Sequence, residues 1–198
     1  MKQKKHTQLL AVLVSALCFL CYSCGDDGHY IQKPRGYFRI DLPQKSYKTL
    51  DTIERYSFEY PEYAIISHDK HAPDEPNWIN VDYPSFRGTL HLSHKTINNN
   101  LGTYLEDVYT MRNKHLMKAN GIYDSLIINP DRSVYGMTTM IEGKGVASPF
   151  QFYLTDSTDN FLRGALYFNF LPNNDSMQPV IDFIIDDINH LINTIYWK

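Results

Sequence analysis

Between Met177 and Tyr196 the chain places Ile181, Ile184, Ile185, Ile188, Leu191, Ile192 and Ile195 at intervals of three and four. Only an α-helix gathers residues so spaced onto one side. Asp182, Asp186, Asn189 and Asn193 fall on the other side. A helix this one-sided needs an apolar surface to cover, and a sheet is the surface the rest of the chain offers. Asn173-Asn174-Asp175-Ser176 ahead of it supplies residues that cap a helix start.

The strands are read from alternation and from turn residues. Tyr56-Ser57-Phe58-Glu59-Tyr60 alternates with period two and stops at Pro61. Ala64–His68 is its expected partner across Pro61-Glu62-Tyr63, and Asp69–Asn77, with two prolines, is a polar loop. Trp78–Tyr83 is a strand ended by Pro84, with Trp78, Asn80 and Asp82 on one face and Ile79, Val81 and Tyr83 on the other. After a turn at Ser85–Gly88, Thr89–Lys95 sets Leu90 and Leu92 against Thr89, His91 and Ser93. Leu101, Tyr104, Leu105, Val108, Met111, Arg112, His115, Leu116 and Ala119 predict a first helix over Leu101–Ala119, closed near Gly121. Further strands are expected near Ser125–Ile128, Val134–Ile141, Phe150–Thr155 and Phe161–Phe170. In the last, Leu162, Leu166, Phe168 and Phe170 read as buried against Arg163, Tyr167 and Asn169. Sequential strands with two segregated helices give an α+β fold, an antiparallel sheet with two main helices packed on it.

The first residues carry an address. Lys2, Lys4 and Lys5 precede a 12-residue apolar run, Leu9–Leu20, and then Cys21-Tyr22-Ser23-Cys24. This is the layout of a secretory signal, and the run is too short for the roughly 20 residues that cross a bilayer. A lipoprotein signal ends in Leu-x-small-Cys; here Ser23 precedes Cys24, Gly25-Asp26-Asp27-Gly28 follows it, and Cys21 stands at the leucine position. Cys24 is the expected acyl (palmitate-type) acceptor; the competing reading is an ordinary cleaved signal leaving a free thiol. The expected organisation is a lipoprotein signal peptide over 1–23, a lipidated tether and domain start over 24–48, and a single α+β envelope domain over 49–198.

All three cysteines lie in that first segment, so no intramolecular disulfide is expected after cleavage before Cys24. The 175 residues from 24 onward suffice for a core that buries about 70% of the unfolded surface. Losing the three lysines takes the net charge from −3 to −6, so nucleic acid is an unsuitable partner. No His-Glu-x-x-His, Gly-x-Ser-x-Gly or phosphate loop occurs, and no catalytic residue, metal or cofactor is expected. His68 and His71 with Asp69, Asp74 and Glu75 read as a solvated loop more readily than as a metal site, and His91 and His94 point to opposite faces. Asp182 and Asp186 are a solvated stripe, and Asp187 adds nothing to them. The half-wet faces carrying Trp78, Asn80 and Asp82, and Arg163, Tyr167 and Asn169, form the candidate partner surface, since Trp, Tyr and Arg are favoured in interface cores. The bland alternative places them beneath a helix with their polar tips satisfied.

The Tyr-x-Phe-x-Tyr-Pro segment and the final strand-to-helix unit are similar to the PsbP/Mog1-like fold. Longer stretches resemble the gliding motility lipoprotein GldD family: 34–40 (PRGYFRI), 78–84 (WINVDYP), 151–157 (QFYLTDS), 161–169 (FLRGALYFN) and the closing helix ending Tyr-Trp-Lys. The resemblance implies a non-enzymatic envelope component of gliding and of the associated type IX secretion machinery, with other gliding lipoproteins and envelope proteins as partners. Cys24 is the one functional position it carries over. The periplasmic face of the outer membrane is the expected location, with the inner membrane as the alternative. A competing expectation is an envelope enzyme or small-ligand binder using the Trp78/Tyr167 face, which requires a concave pocket there. Replacing Cys24→Ser in the native host is expected to abolish metabolic acyl labelling and release the protein from membranes; persistent labelling moves the anchor to another cysteine.

Overall fold

The computed structural model describes residues 40–170 and 173–198. The expected signal peptide, Cys24 and the tether as far as residue 39 lie outside them. In chain order the strands are β1 (Tyr47–Leu50), β2 (Tyr56–Pro61), β3 (Ile65–His68), β4 (Ile79–Tyr83) and β5 (Gly88–Thr96). Helix α1 (Leu101–Asn113) follows, then β6 (Gly121–Asn129), β7 (Val134–Glu142), β8 (Phe150–Thr155), β9 (Asn160–Phe168), helix α2 (Asn174–Thr194) and β10 (Tyr196–Trp197). Seven strands form one antiparallel sheet in the order β3-β4-β5-β9-β8-β7-β6, and β1-β2-β10 form a second, smaller one. The class is α+β, and no helix among the described residues is long and apolar enough to cross a membrane.

The isoleucine stripe of α2 decides which face of the large sheet is inside. Ile181, Ile184, Ile188, Leu191 and Ile195 are buried against Ile79, Val81, Leu90, Leu92, Leu154, Leu162 and Leu166, which alternate inward from β4, β5, β8 and β9. Each such side chain contributes about 1.5–3 kcal/mol by leaving water. The small sheet covers the rest of this inner face, with Tyr56 and Phe58 in the same core. Gly164, between Leu162 and Leu166, leaves the space that the Phe152 ring of β8 occupies; a Cβ at 164 would collide with that ring.

Four expectations are corrected. Ile65–His68 pairs with β4, in the register Ile66↔Val81, and not with Tyr56–Tyr60. Both edges of β2 are already taken, one by β1 and the other by β10. The first helix stops at Asn113 and is followed by a short 3-10 turn at Leu116–Lys118. Of its apolar stripe only Val108 is buried, while Leu116 and Met117 are exposed, and an unsupported helical turn in water is marginal. Phe168 and Phe170 are only half-buried, because β9 ends at Phe168.

The chain end is the fourth. The C-terminal helix ends at Thr194, and Tyr196–Trp197 turn into a strand on β2. The Thr194 hydroxyl accepts the Glu59 N–H of β2 (3.0 Å) and donates to His190 O (2.9 Å), which joins helix end to strand. At the other end, Asn174 contributes by a route the capping pattern did not suggest. Its buried amide donates to Gly143 O and Val146 O (both 3.0 Å), pinning the helix start to the β7–β8 loop.

Truncating Ile188→Ala is expected to cost about 2–5 kcal/mol of unfolding free energy. Gly164→Ala is expected to cost about 1–3 kcal/mol by overpacking Phe152. Denaturant titration checks both, and an unchanged midpoint for either would remove its assigned role.

Candidate functional site

The face of the large sheet turned away from α2 is polar, and α1 covers only part of it. Alternation brings Asn80 and Asp82 (β4), Thr89, His91, Ser93 and Lys95 (β5), Arg163 and Tyr167 (β9) and Gln151 (β8) onto this side. Asp82 accepts Ser67 Oγ on Oδ2 (2.6 Å) and Thr89 Oγ1 on Oδ1 (2.8 Å), so both carboxylate oxygens are engaged. His91 Nδ1 donates to Asn80 Oδ1 (2.7 Å), and its ring meets Tyr167 edge-on at 5.7 Å. Burial lowers the His91 pKa from its ordinary value.

Trp78 lies one residue before β4. Its Nε1 donates to His94 O (2.7 Å), and Lys95 Nζ stands 4.6 Å from its ring centroid while pairing with Glu75 (3.4 Å). Arg163 Nη2 donates to Gln151 Oε1 (3.1 Å). Burial also lowers the Arg163 pKa from its ordinary value. Among the described residues, the buried Arg163 Nε and Gln151 Nε2 have no acceptor, which buried polar groups rarely tolerate without a further partner, water or a ligand. A half-open cavity of about 200 Å³ lies between α1 and the sheet, lined by Trp78, Lys95, Met111, Phe161 and Arg163 among others.

The expected surface residues therefore divide. Trp78 and Arg163 meet at this cavity, Asn80 and Tyr167 bracket His91, and Asp82 is tied into the β3–β5 ladder. Asn169 does not join them: it falls just beyond β9, exposed, with its N–H on Arg87 O (2.8 Å). The members that pattern reading left out are His91 and Lys95 of β5, the strand interposed between β4 and β9. Their alternation was visible, but nothing in it says which strands become neighbours. Among the described residues no three His, Cys, Asp or Glu side chains converge to hold a metal ion. In the His68–Glu75 loop, Asp69 Oδ1 accepts the His71 N–H (2.9 Å), a local turn. His94 points inward, bonded to Asn160 (2.9 Å) and stacked on Tyr56.

A second polar cluster lies on the inner side around Asp187, which diverges from exposed Asp186 around the helix, as expected, and enters the core, where sequence reading assigned it no partners. Asp187 is 1% exposed. It accepts Tyr47 Oη (2.9 Å) on Oδ1 and Tyr63 Oη (2.5 Å) on Oδ2, and Lys45 Nζ stands 3.1 Å away. Lys45 also donates to Phe183 O (3.0 Å), and Tyr47 stacks on His190 at 3.7 Å. Burial first, and then the hydrogen bond and charge of Asp187, raise both tyrosine hydroxyls above the ordinary phenol range. Such tyrosines are donors and not nucleophiles, so the cluster acts as a clamp holding the β1–β3 region on α2.

The family profile described as gliding motility lipoprotein GldD matches residues 27–197. The chain belongs to that family. The fold and both polar clusters thus belong to a gliding motility lipoprotein, a family lipid-anchored in the cell envelope. No curated protein matches this GldD-family chain. Among solved structures it is similar to the solution structure of cyanobacterial PsbP (CyanoP) from Synechocystis sp. PCC 6803. The identity is 12%, the alignment covers 81% of this chain and 98% of that one, and the TM-score is 0.44.

A tyrosine whose folded pKa is raised stabilises the protein fully below its unfolded pKa, about 10, and that contribution is lost as pH climbs past it. Stability is therefore expected to fall steeply above about pH 10. Tyr63→Phe is expected to flatten that alkaline limb while lowering stability at neutral pH. An identical alkaline limb in the variant would show that Tyr63 is not held protonated by the fold.

Proposed function

We propose that this GldD-family chain is a lipid-anchored, non-enzymatic accessory subunit of the gliding apparatus and of associated type IX secretion, which works by holding other envelope proteins. The observation that carries this reading is the open part of the outer face, where Asn80, Asp82, Thr89 and His91 are half-exposed yet hydrogen-bonded in pairs and Tyr167 packs edge-on against His91. Side chains held this way lose little further freedom on docking, which suits a recognition surface. Both oxygens of Asp82 are engaged and the Nδ1 of His91 is bonded to the Asn80 amide oxygen, an arrangement better suited to rigid contact than to general acid–base work. Catalysis plays no part in the proposal, and the partners are other gliding and secretion lipoproteins reached from the lipid on Cys24. The periplasmic face of the outer membrane remains the proposed location.

A second reading rests on the cavity beneath α1 and the buried Arg163 on its wall, whose Nε has no acceptor among the described residues, which favour a small acceptor-bearing ligand. Two variants separate the readings. Asn80→Arg combined with Tyr167→Ala is expected to abolish co-fractionation with partner lipoproteins and to cut motility and secretion to the level of a deletion strain, with the circular dichroism spectrum unchanged. Met111→Trp, which fills the cavity, is expected to leave all three intact. Normal motility and secretion in the deletion strain would sink the accessory-subunit reading, and loss of function with Met111→Trp alone would transfer the role to the cavity.

A further inference from the structure

Among the described residues, strand β6 is the open edge of the large sheet, opposite the short four-residue edge β3. Long edge strands are usually protected by lysine, proline or a bulge, because their unpaired backbone groups template another strand. Between Gly121 and Asn129 there is no lysine, arginine or proline, and the pairing with β7 runs residue for residue without a bulge. The strand's large apolar side chains stand in water: Leu126 is 77% exposed, Ile128 68% and Tyr123 56%. Its single charge, Asp124, is already met by Arg112 (2.6 Å) and Thr139 Oγ1 (2.7 Å).

The backbone phase of the edge follows from the next ladder. Ile141 N–H donates to Pro149 O (2.8 Å), so odd-numbered residues of β7 direct their backbone groups to β8 and even-numbered ones to β6. With Thr138 opposite Ser125, the odd-numbered residues of β6 are bonded to β7. Ile122, Asp124, Leu126 and Ile128 therefore present their N–H and C=O groups outward.

We propose that this edge is a self-association surface, on which β6 of a second copy pairs antiparallel about a two-fold axis at Ser125. That register spans the strand from Gly121 to Asn129. It sets Ile122 against Ile128 of the second copy, Tyr123 against Ile127, and Asp124 against Leu126. Side chains directly opposite on a sheet carry most of the pairing energy, and here none of the opposed pairs joins like charges. Centring on Asp124 would oppose two carboxylates, and centring on Leu126 would run the strand end onto Pro130, which has no N–H to give. The same chemistry at both ends of one strand is what a two-fold interface demands, since each residue meets its counterpart's partner. Beside the edge, Tyr123 and Ser125 line a cleft of about 480 Å³ with Met140, Phe150 and Ile185 of α2. It gives the inward side chains of a second strand room next to the helix.

The test uses the full chain purified in detergent. Light scattering and sedimentation are expected to show about twice the monomer mass in a concentration-dependent equilibrium. Leu126→Lys with Ile128→Lys is expected to abolish the dimer with the circular dichroism spectrum unchanged, since both side chains are exposed. Ser125→Cys is expected to form a disulfide-linked dimer under mild oxidation, because facing Cα atoms of a non-hydrogen-bonded pair lie about 4.5 Å apart, within disulfide reach. The parent chain sets the background from any N-terminal thiol left by incomplete processing or acylation at Cys24, and Thr158→Cys, on an exposed turn, sets the collisional background. A chain that stays monomeric, or a Ser125→Cys chain that cross-links no faster than Thr158→Cys, would overturn the proposal and leave β6 as the seat of a different strand.

Discussion

Everything in this molecule is arranged around the burial of the α2 stripe. A 21-residue helix with Val180, Ile181, Ile184, Ile188 and Leu191 turned to one side must cover an apolar sheet face of similar length. The large sheet provides it at β4, β5, β8 and β9, the strands nearest its middle. Once that face is committed inward, alternation commits the polar residues of the same strands outward, and the outer face becomes a consequence of the core. The sheet is wider than the single helix, and its two ends meet different fates. The small β1-β2-β10 sheet joins the core beside α2, whereas β6, among the described residues, is left as an open edge.

The second constraint is electrostatic. Asp187 interrupts the apolar side of α2 with a charge that is almost wholly out of water, a burial that costs several kcal/mol unless the charge is paired and hydrogen-bonded. Tyr47, Tyr63 and Lys45 meet that demand, and they come from the segment that begins the described chain and from the turn after β2. Removing one partner would leave the rest of a buried network unmatched, which makes such clusters specifying as well as stabilising. The Thr194–Glu59 bond and the Glu59–His190 contact (2.6 Å) join the same helix to β2, on which β10 also pairs, so helix end and chain end are fastened to one strand.

The outer face follows a different logic. Its polar groups are joined across strand boundaries in short relays: Ser67 to Asp82 to Thr89, Asn80 to His91, Arg163 to Gln151. None of these relays assembles a nucleophile, a base and an orienting acid. They fix side-chain positions, as the proposed accessory role requires. Helix α1 shields one part of the face through Val108 and Phe161 and leaves a small cavity at its margin. The family to which the chain belongs is described by motility and lipidation, and a rigid, partly covered sheet face is compatible with a scaffold in that setting.

The sequence alone determined the elements whose signal is local. The α2 stripe, the alternation through β4, β5 and β9, and the α+β class were legible because hydrophobic period and burial agree there. The long stretches around Trp78–Pro84 and Phe161–Asn169 carried the family. Tertiary structure alone decided who neighbours whom. It placed Ile65–His68 on β4, because β2 had both edges filled by segments more than a hundred residues apart in sequence. It shortened α1, because a periodic stripe does not guarantee a surface to lie on. It put Asp187 into the core, because helix periodicity marks a flank position as polar without saying that two tyrosines and a lysine from distant segments close over it. The polar partners of Trp78, Asn80 and Arg163 were hidden for the same reason. A cross-strand pair is set by register, and register is chosen by the fold as a whole.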